Sequence, residues 1–137
     1  MFRNKNDRPV GLKIIIVGWG KVGSTLVDQL CREGHDVTII DTNINKIHEL
    51  TNLYDIMGVE GNGASPGIQK DAGIDSTDLL IAVTGSDEQN LLCCVIARKA
   101  GHCKTIARVR NPIYNTEIEF LRKELGLAMP MPSTHSL

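Results

Sequence analysis

Three glycines, Gly18, Gly20 and Gly23, stand at G-x-G-x-x-G spacing directly after the apolar run Ile14-Ile15-Ile16-Val17. Between a strand and a helix, glycines in that order suit a pyrophosphate. Gly18 allows a tight turn out of the strand, Gly20 lacks a Cβ so that a phosphate can approach the backbone, and Gly23 lets the helix pack close to the strand. The helix N-terminus that follows offers free N–H groups and a partial positive charge to an anion. Asp41 ends the next apolar run, about 20 residues after the glycines, where a carboxylate reaches an adenosine ribose and repels the 2′-phosphate of NADP. The chemistry expected of this set is therefore nucleotide binding. Glycine spacing alone is a weak signal; the strand before it, the helix after it and the acid beyond give it weight. The competing reading is a βαβ unit whose glycines serve only helix–strand packing, with Asp41 a solvated acid before a helix.

These residues need elements to hold them. Residues 13–17 read as a strand, and their unbroken apolar run implies burial on both faces, as in a parallel sheet. A helix over 23–33 carries Val22, Leu26, Val27 and Leu30 on one face and stops at Gly34. A second strand at 36–40 leads to the loop Asp41-Thr42-Asn43, then to a helix over 44–53 with Ile44, Ile47 and Leu50 on one side. A third strand, 55–60, runs into the turn Gly61-Asn62-Gly63. Ser65 and Pro66 open a short helix that ends at Gly73. A fourth strand, 78–83, meets the loop Thr84-Gly85-Ser86. Ser86 or Asp87 then caps a helix to residue 100, with Glu88 as a first-turn acid and Leu91, Leu92, Val95 and Ile96 as its apolar face. A fifth strand, 105–109, turns through Arg110-Asn111-Pro112 into a last helix, 114–125, and residues 127–131 add an edge strand interrupted by Pro130.

Strands alternating with helices imply an α/β, doubly wound parallel sheet with helices on both faces. The expected strand order is 3-2-1-4-5, with a sixth at the edge, and the loops after strands 1 and 4 flank the ligand crevice. One domain is expected over 12–131, with an unstructured lead-in, 1–11, and tail, 132–137.

Composition removes several classes of function. The 137 residues carry a net charge of −1 and only two Phe, two Tyr and one Trp, so neither a basic stripe nor a stacking surface for nucleic acid is present. No apolar run approaches the ~20 residues that cross a bilayer, and the polar N-terminus has no signal-peptide core, so a cytoplasmic protein is expected. Cys31, Cys93, Cys94 and Cys103 form no C-x-x-C pair and read as small hydrophobes. His35, His48, His102 and His135 lack ligand spacing, so no metal is expected. Hydride transfer would need a proton donor facing the nicotinamide, and His102 falls before strand 5, at the wrong end of the sheet. A nucleotide-binding regulator, not an enzyme, is the leading reading. A dehydrogenase fragment and an assembly module with a vestigial pocket are the alternatives.

Four stretches resemble the N-terminal nucleotide-binding lobe of Trk-type potassium-uptake regulators, the RCK or TrkA-N domain. They are residues 15–23, Val37-Thr38-Ile39-Ile40-Asp41, residues 82–91 (Ala-Val-Thr-Gly-Ser-Asp-Glu-Gln-Asn-Leu) and Ala107-Arg108-Val109-Arg110-Asn111-Pro112. The resemblance spans about residues 12–131 and implies a Rossmann-like regulatory domain. It would bind NAD or NADH, with ATP, ADP or AMP as alternatives in the same site. It would assemble as a homo-oligomer, a dimer or ring, and regulate a membrane potassium transporter or channel from the cytoplasmic face without entering the membrane. The implied binding set is Gly18, Trp19, Gly20, Lys21, Val22 and Gly23 in the first loop, Asp41, Thr42 and Asn43 after strand 2, Asn62 and Gly63 after strand 3, Val83 and Thr84 after strand 4, and Arg108 after strand 5. Many members have Arg where Lys21 stands, so a point charge replaces a fork at the phosphates. Members usually carry an acid where Asn62 stands near the adenine. Trp19 either lies over the ligand or covers the helix seam. Ile113 and Phe120 mark the region through which such lobes pair.

Overall fold

A computed structural model describes residues 11–18, 20–101, 103–115 and 123. Strands β1 (Lys13–Val17), β2 (Asp36–Asp41), β3 (Met57–Glu60), β4 (Leu79–Ala82) and β5 (Lys104–Ala107) alternate with helices α1 (Lys21–Arg32), α2 (Ile44–Leu53), α3 (Pro66–Asp71) and α4 (Asp87–Ala100). The strands form one parallel sheet in the order β3-β2-β1-β4-β5, as the alternation implies.

The unbroken apolar strands are explained by two cores, one on each face of the sheet. Ile14 and Ile16 of β1 pack with Val37, Ile39 and Ile81 against Val27 of α1 and Leu50 of α2. Ile15 and Val17 point the other way, with Leu80 and Ala82, toward Ile74 and the Leu91, Cys94 and Ala97 face of α4. A residue such as Ile15, fully buried, contributes about 1.5–3 kcal/mol relative to exposure. Helix ends follow local chemistry. Ser65 and Ser86 accept from Ile68 N and Gln89 N as N-caps, and Gly34, at φ 86°, follows α1 in the left-handed conformation that ends it.

Three expectations need correction. The buried face of α4 is Asn90, Leu91, Cys93, Cys94 and Ala97, whereas Leu92 is 49% exposed. Small side chains face the sheet where α4 packs on β4 and β5, with α3 beside it, and the bulkier Val95 and Ile96 are only half-buried. Burial pushes the Cys93 thiol up to about 12 and that of Cys94 higher still. Ser86, not Asp87, is the N-cap of α4. Tyr114 does not begin an α-helix: Pro112–Asn115 is a 3-10 turn in which the Asn111 side chain accepts from Ile113 N. Trp19, His102, Phe120, the rest of the last helix apart from Lys123, the sixth strand, residues 1–10 and the tail lie outside the described residues. Among the described residues no helix is long and apolar enough to cross a membrane, and no cluster of His, Cys, Asp or Glu is set to hold a metal.

Candidate functional site

The C-terminal ends of β2, β1 and β4 lie side by side, with Val17 opposite Ile40 and Ala82. The loops that leave them diverge and enclose a cleft of about 540 Å³, which the β3 loop and the first turns of α4 complete. Its walls are Val17, Gly18, Ile40, Asp41, Thr42, Gly61, Asn62, Gly63, Thr84, Gly85, Ser86 and Gln89. That volume suits a small-molecule ligand, and the place is the switch point of the strand order.

Two of the three glycines are required by the protein's own packing. Gly18 has φ 107°, and a Cβ there would lie 2.8 Å from Thr84 N, so the loops after β1 and β4 meet backbone to backbone. A Cβ on Gly23 would lie 2.8 Å from the Gly18 carbonyl oxygen, which seats α1 on the turn. Gly20 differs. It has φ 133°, yet nothing lies within 4 Å of where its Cβ would be. Its backbone is bare on the side where a phosphate would approach.

Asp41 is half-buried, and its Oδ1 accepts from Asn43 N at 2.8 Å, which fixes the rotation of the carboxylate. Asn43 supports the site indirectly. Its side chain caps α2 through Asn45 N and Lys46 N and does not line the cleft. Across the cleft, Asn62 Oδ1 accepts from Ala64 N at 2.8 Å and from Gln89 Nε2 at 2.6 Å. The backbone N–H can only donate, so it sets the Asn62 amide, and Asn62 in turn sets that of Gln89. This wall is a neutral amide pair. A Cβ on Gly63 would collide with the Val17 side chain, and the Gly63 carbonyl accepts from the wholly buried Gln69, which also donates to Cys93 O.

Of the residues expected to bind ligand, Gly18, Asp41, Thr42, Asn62, Gly63 and Thr84 line the cleft together. Gly20, the N-cap of α1, and Gly23, buried in its first turn, do not line it. Val83 is buried in the α1-side core beneath the loop. Lys21 is exposed at the start of α1 and, with Val22, lines a separate shallow depression beside Thr25 and Leu26. Arg108 is held through its backbone: its N–H donates to Ala82 O, and its carbonyl accepts from Asn90 Nδ2. Its half-buried guanidinium does not line the cleft, and burial followed by the neighbouring Arg110 lowers its pKa. Sequence reasoning missed Gln89, Gln69 and Asn90. The available signal was a polar amide on a helix face that must be buried, as at Asn90 beside Leu91 and Cys94.

The family model of the TrkA-N domain matches residues 14–128. The Trk system potassium uptake protein TrkA of Vibrio alginolyticus is 40% identical over 113 residues, covering 82% of this chain and 25% of the relative. That of Halomonas elongata is 43% identical over 106 residues, covering 77% and 23%. The chain thus spans about a quarter of the length of these curated relatives. In fold it is similar to the TrkA-N domain of the inner membrane protein ybaL from Escherichia coli, with a TM-score of 0.77 at 23% identity over 90% of this chain and 89% of that one. It is also similar to the GsuK channel bound to NAD, with TM-score 0.70 at 18% identity, covering 88% and 21%. The Kef C-terminal domain of Shewanella denitrificans in its AMP-bound form scores 0.70 at 21% identity, covering 89% and 72%. With a matching family model over most of its length, the chain belongs to the TrkA-N domain family.

Proposed function

We propose that the cleft binds an adenine nucleotide and that its occupancy regulates a membrane potassium transporter or channel. NAD or NADH is the first candidate ligand, and ATP, ADP and AMP are the alternatives. The observation that carries this reading is the oriented Asp41 carboxylate in a cleft at the switch point, whose Gly18 wall leads through the turn to the open Gly20 backbone at the α1 N-terminus. A ribose diol takes the first, phosphates the second, and the Asn62–Gln89 amides face the base. Lys21 and Arg108 add positive charge near this edge of the sheet. The names of the TrkA relatives and the NAD- and AMP-bound neighbours point the same way.

A sensor is favoured over a catalyst by the lining chemistry: Asp41 is the one ionisable side chain among the described lining residues. The domain acts as a homo-oligomer at the cytoplasmic face, attached through its transport partner. Regulation is a population shift. The ligand contacts differ between two arrangements of paired domains, and that difference in free energy biases the partner. A ligand bound equally by both arrangements would change nothing.

The test is calorimetric titration of the purified chain with NAD, NADH, ATP, ADP and AMP, with light scattering on each mixture. Binding accompanied by a change in assembly, without consumption of NADH, is the expected result. A folded protein that binds none of them refutes the reading. Turnover of NADH would replace the sensor by an oxidoreductase.

A further inference from the structure

The loop between β4 and α4, with the first turn of α4, is bonded to the chain that leaves the sheet after β5. Asn90 is wholly buried, and its Oδ1 accepts from Thr84 N at 2.8 Å and from the Thr84 hydroxyl at 2.6 Å. Its Nδ2 donates to Thr84 O at 3.2 Å and to Arg108 O at 2.9 Å. The Thr84 N–H forces this orientation, because an amide turned over would set its oxygen against two carbonyls. One residue on, Gly85 O accepts from Arg110 Nη2 at 2.9 Å. Asp87 then reaches across the gap: its two oxygens accept from the consecutive amides Arg110 N, at 3.0 Å, and Asn111 N, at 2.7 Å. Glu88 accepts from the Tyr114 hydroxyl at 2.7 Å.

Thr84 and Gly85 line the cleft, whereas Asp87, Glu88 and Asn90 do not. A cap for α4 needs none of these bonds, since Ser86 fills that role. We propose that Asn90 and Asp87 are positioning residues that join the cleft loop and residues 108–114 into one moving body, so that a ligand resetting Thr84 and Gly85 also resets the backbone at Arg110 and Asn111. The Asp87 clamp is charge-assisted and two-pronged, which makes it directional as well as strong. The buried Asn90 amide couples the same two segments from beneath, where low dielectric strengthens each bond. Linkage then requires that anything holding residues 110–111 in one position alter the affinity of the cleft by the same factor. The ligand half of this inference rests on the nucleotide reading; the mechanical half does not.

The experiment is residue-resolved amide hydrogen exchange on the whole chain, with and without AMP, for the native protein, Asp87→Ala and the milder Asp87→Asn. Asp87 makes no bond to the Thr84 amide, so a purely local staple leaves Thr84 exchange unchanged. The proposal expects Asp87→Ala to speed exchange at Thr84 by about tenfold, the scale of one lost charge-assisted bond, and Asp87→Asn by less. AMP should slow exchange at Arg110 and Asn111 in the native protein. It should fail to do so in Asp87→Ala, compared at AMP concentrations that saturate both proteins. Unchanged Thr84 exchange in either folded variant overturns the proposal, as does an undiminished AMP response in Asp87→Ala. If the native protein binds no AMP, NAD or ADP, the nucleotide reading fails instead, and the ligand-free comparison still decides the coupling.

Discussion

Replacing Asp41 tests the ribose assignment through a thermodynamic cycle. The carboxylate is already oriented by Asn43 N at 2.8 Å, so little reorganisation accompanies ligand binding. Hydrogen bonds to a charged group are worth about 1.5–3 kcal/mol, and a half-buried site is partly screened, so the ribose diol is assigned about 2 kcal/mol in all. That is about a 30-fold change in Kd at 25 °C. Calorimetry should therefore find that the native protein prefers ATP to 2′,3′-dideoxy-ATP by about 30-fold and that Asp41→Ala reduces the preference below about threefold. The variant keeps its fold because α2 retains its Asn43 cap and the orphaned Asn43 N–H is exposed to water. A variant that still discriminates the two nucleotides, or loses both equally, would refute the assignment.

Three further outcomes are expected. Gly18→Ala places a Cβ against the Thr84 backbone at φ 107° and should cost about 2–5 kcal/mol in urea unfolding, whereas Gly85→Ala, with nothing within 4 Å, should cost under about 0.5. Equal costs would show that the two loops do not meet as described. Burial holds the Cys93 thiol up to about 12 and Cys94 higher, while an unfolded cysteine titrates near about 8.5. Above about pH 9 the unfolded chain has therefore lost protons that the folded chain keeps, and stability falls as pH rises toward about 12, by up to about 1.4 kcal/mol per pH unit for each thiol. The Cys93→Ala/Cys94→Ala double variant should show a flatter fall in urea midpoint between pH 8 and 10, and parallel curves would disprove the assignment. Gln69→Leu strands the Gly63 carbonyl, takes a second bond from Cys93 O, which keeps its helical partner, and should lower stability by about 1–3 kcal/mol and weaken nucleotide binding; unchanged affinity would mean that Gly63 does not shape the cleft.

The parts of this molecule legible in its sequence are those fixed by backbone geometry and burial. β1 and α2 fall where their apolar patterns place them, and the glycine spacing, with Asp41 beyond it, marks the cleft. What escaped is tertiary and polar. Asn43 reads as loop until its side chain is seen capping α2. Asp87 reads as a first-turn acid, but its partners are amides 23 and 24 residues away, and nothing in the local sequence points to them. Val83 stands beside Thr84, yet strand alternation turns it into the core while its neighbour faces the cleft. The buried face of α4 departs from its apolar pattern because Leu92 outweighs Cys93 and Cys94 in hydrophobicity, whereas close helix–sheet packing selects the smaller pair.

The most direct test of the central claim is an amide NMR titration of the labelled chain with NAD, ADP and AMP. A nucleotide in the cleft predicts saturable shifts at Gly18, Gly20, Asp41, Asn62 and Thr84. It predicts none at Leu12, Thr77 and Lys104, which line a depression at the opposite edge of the sheet. Silence throughout at saturating nucleotide, or shifts gathered at that opposite edge, would contradict the account.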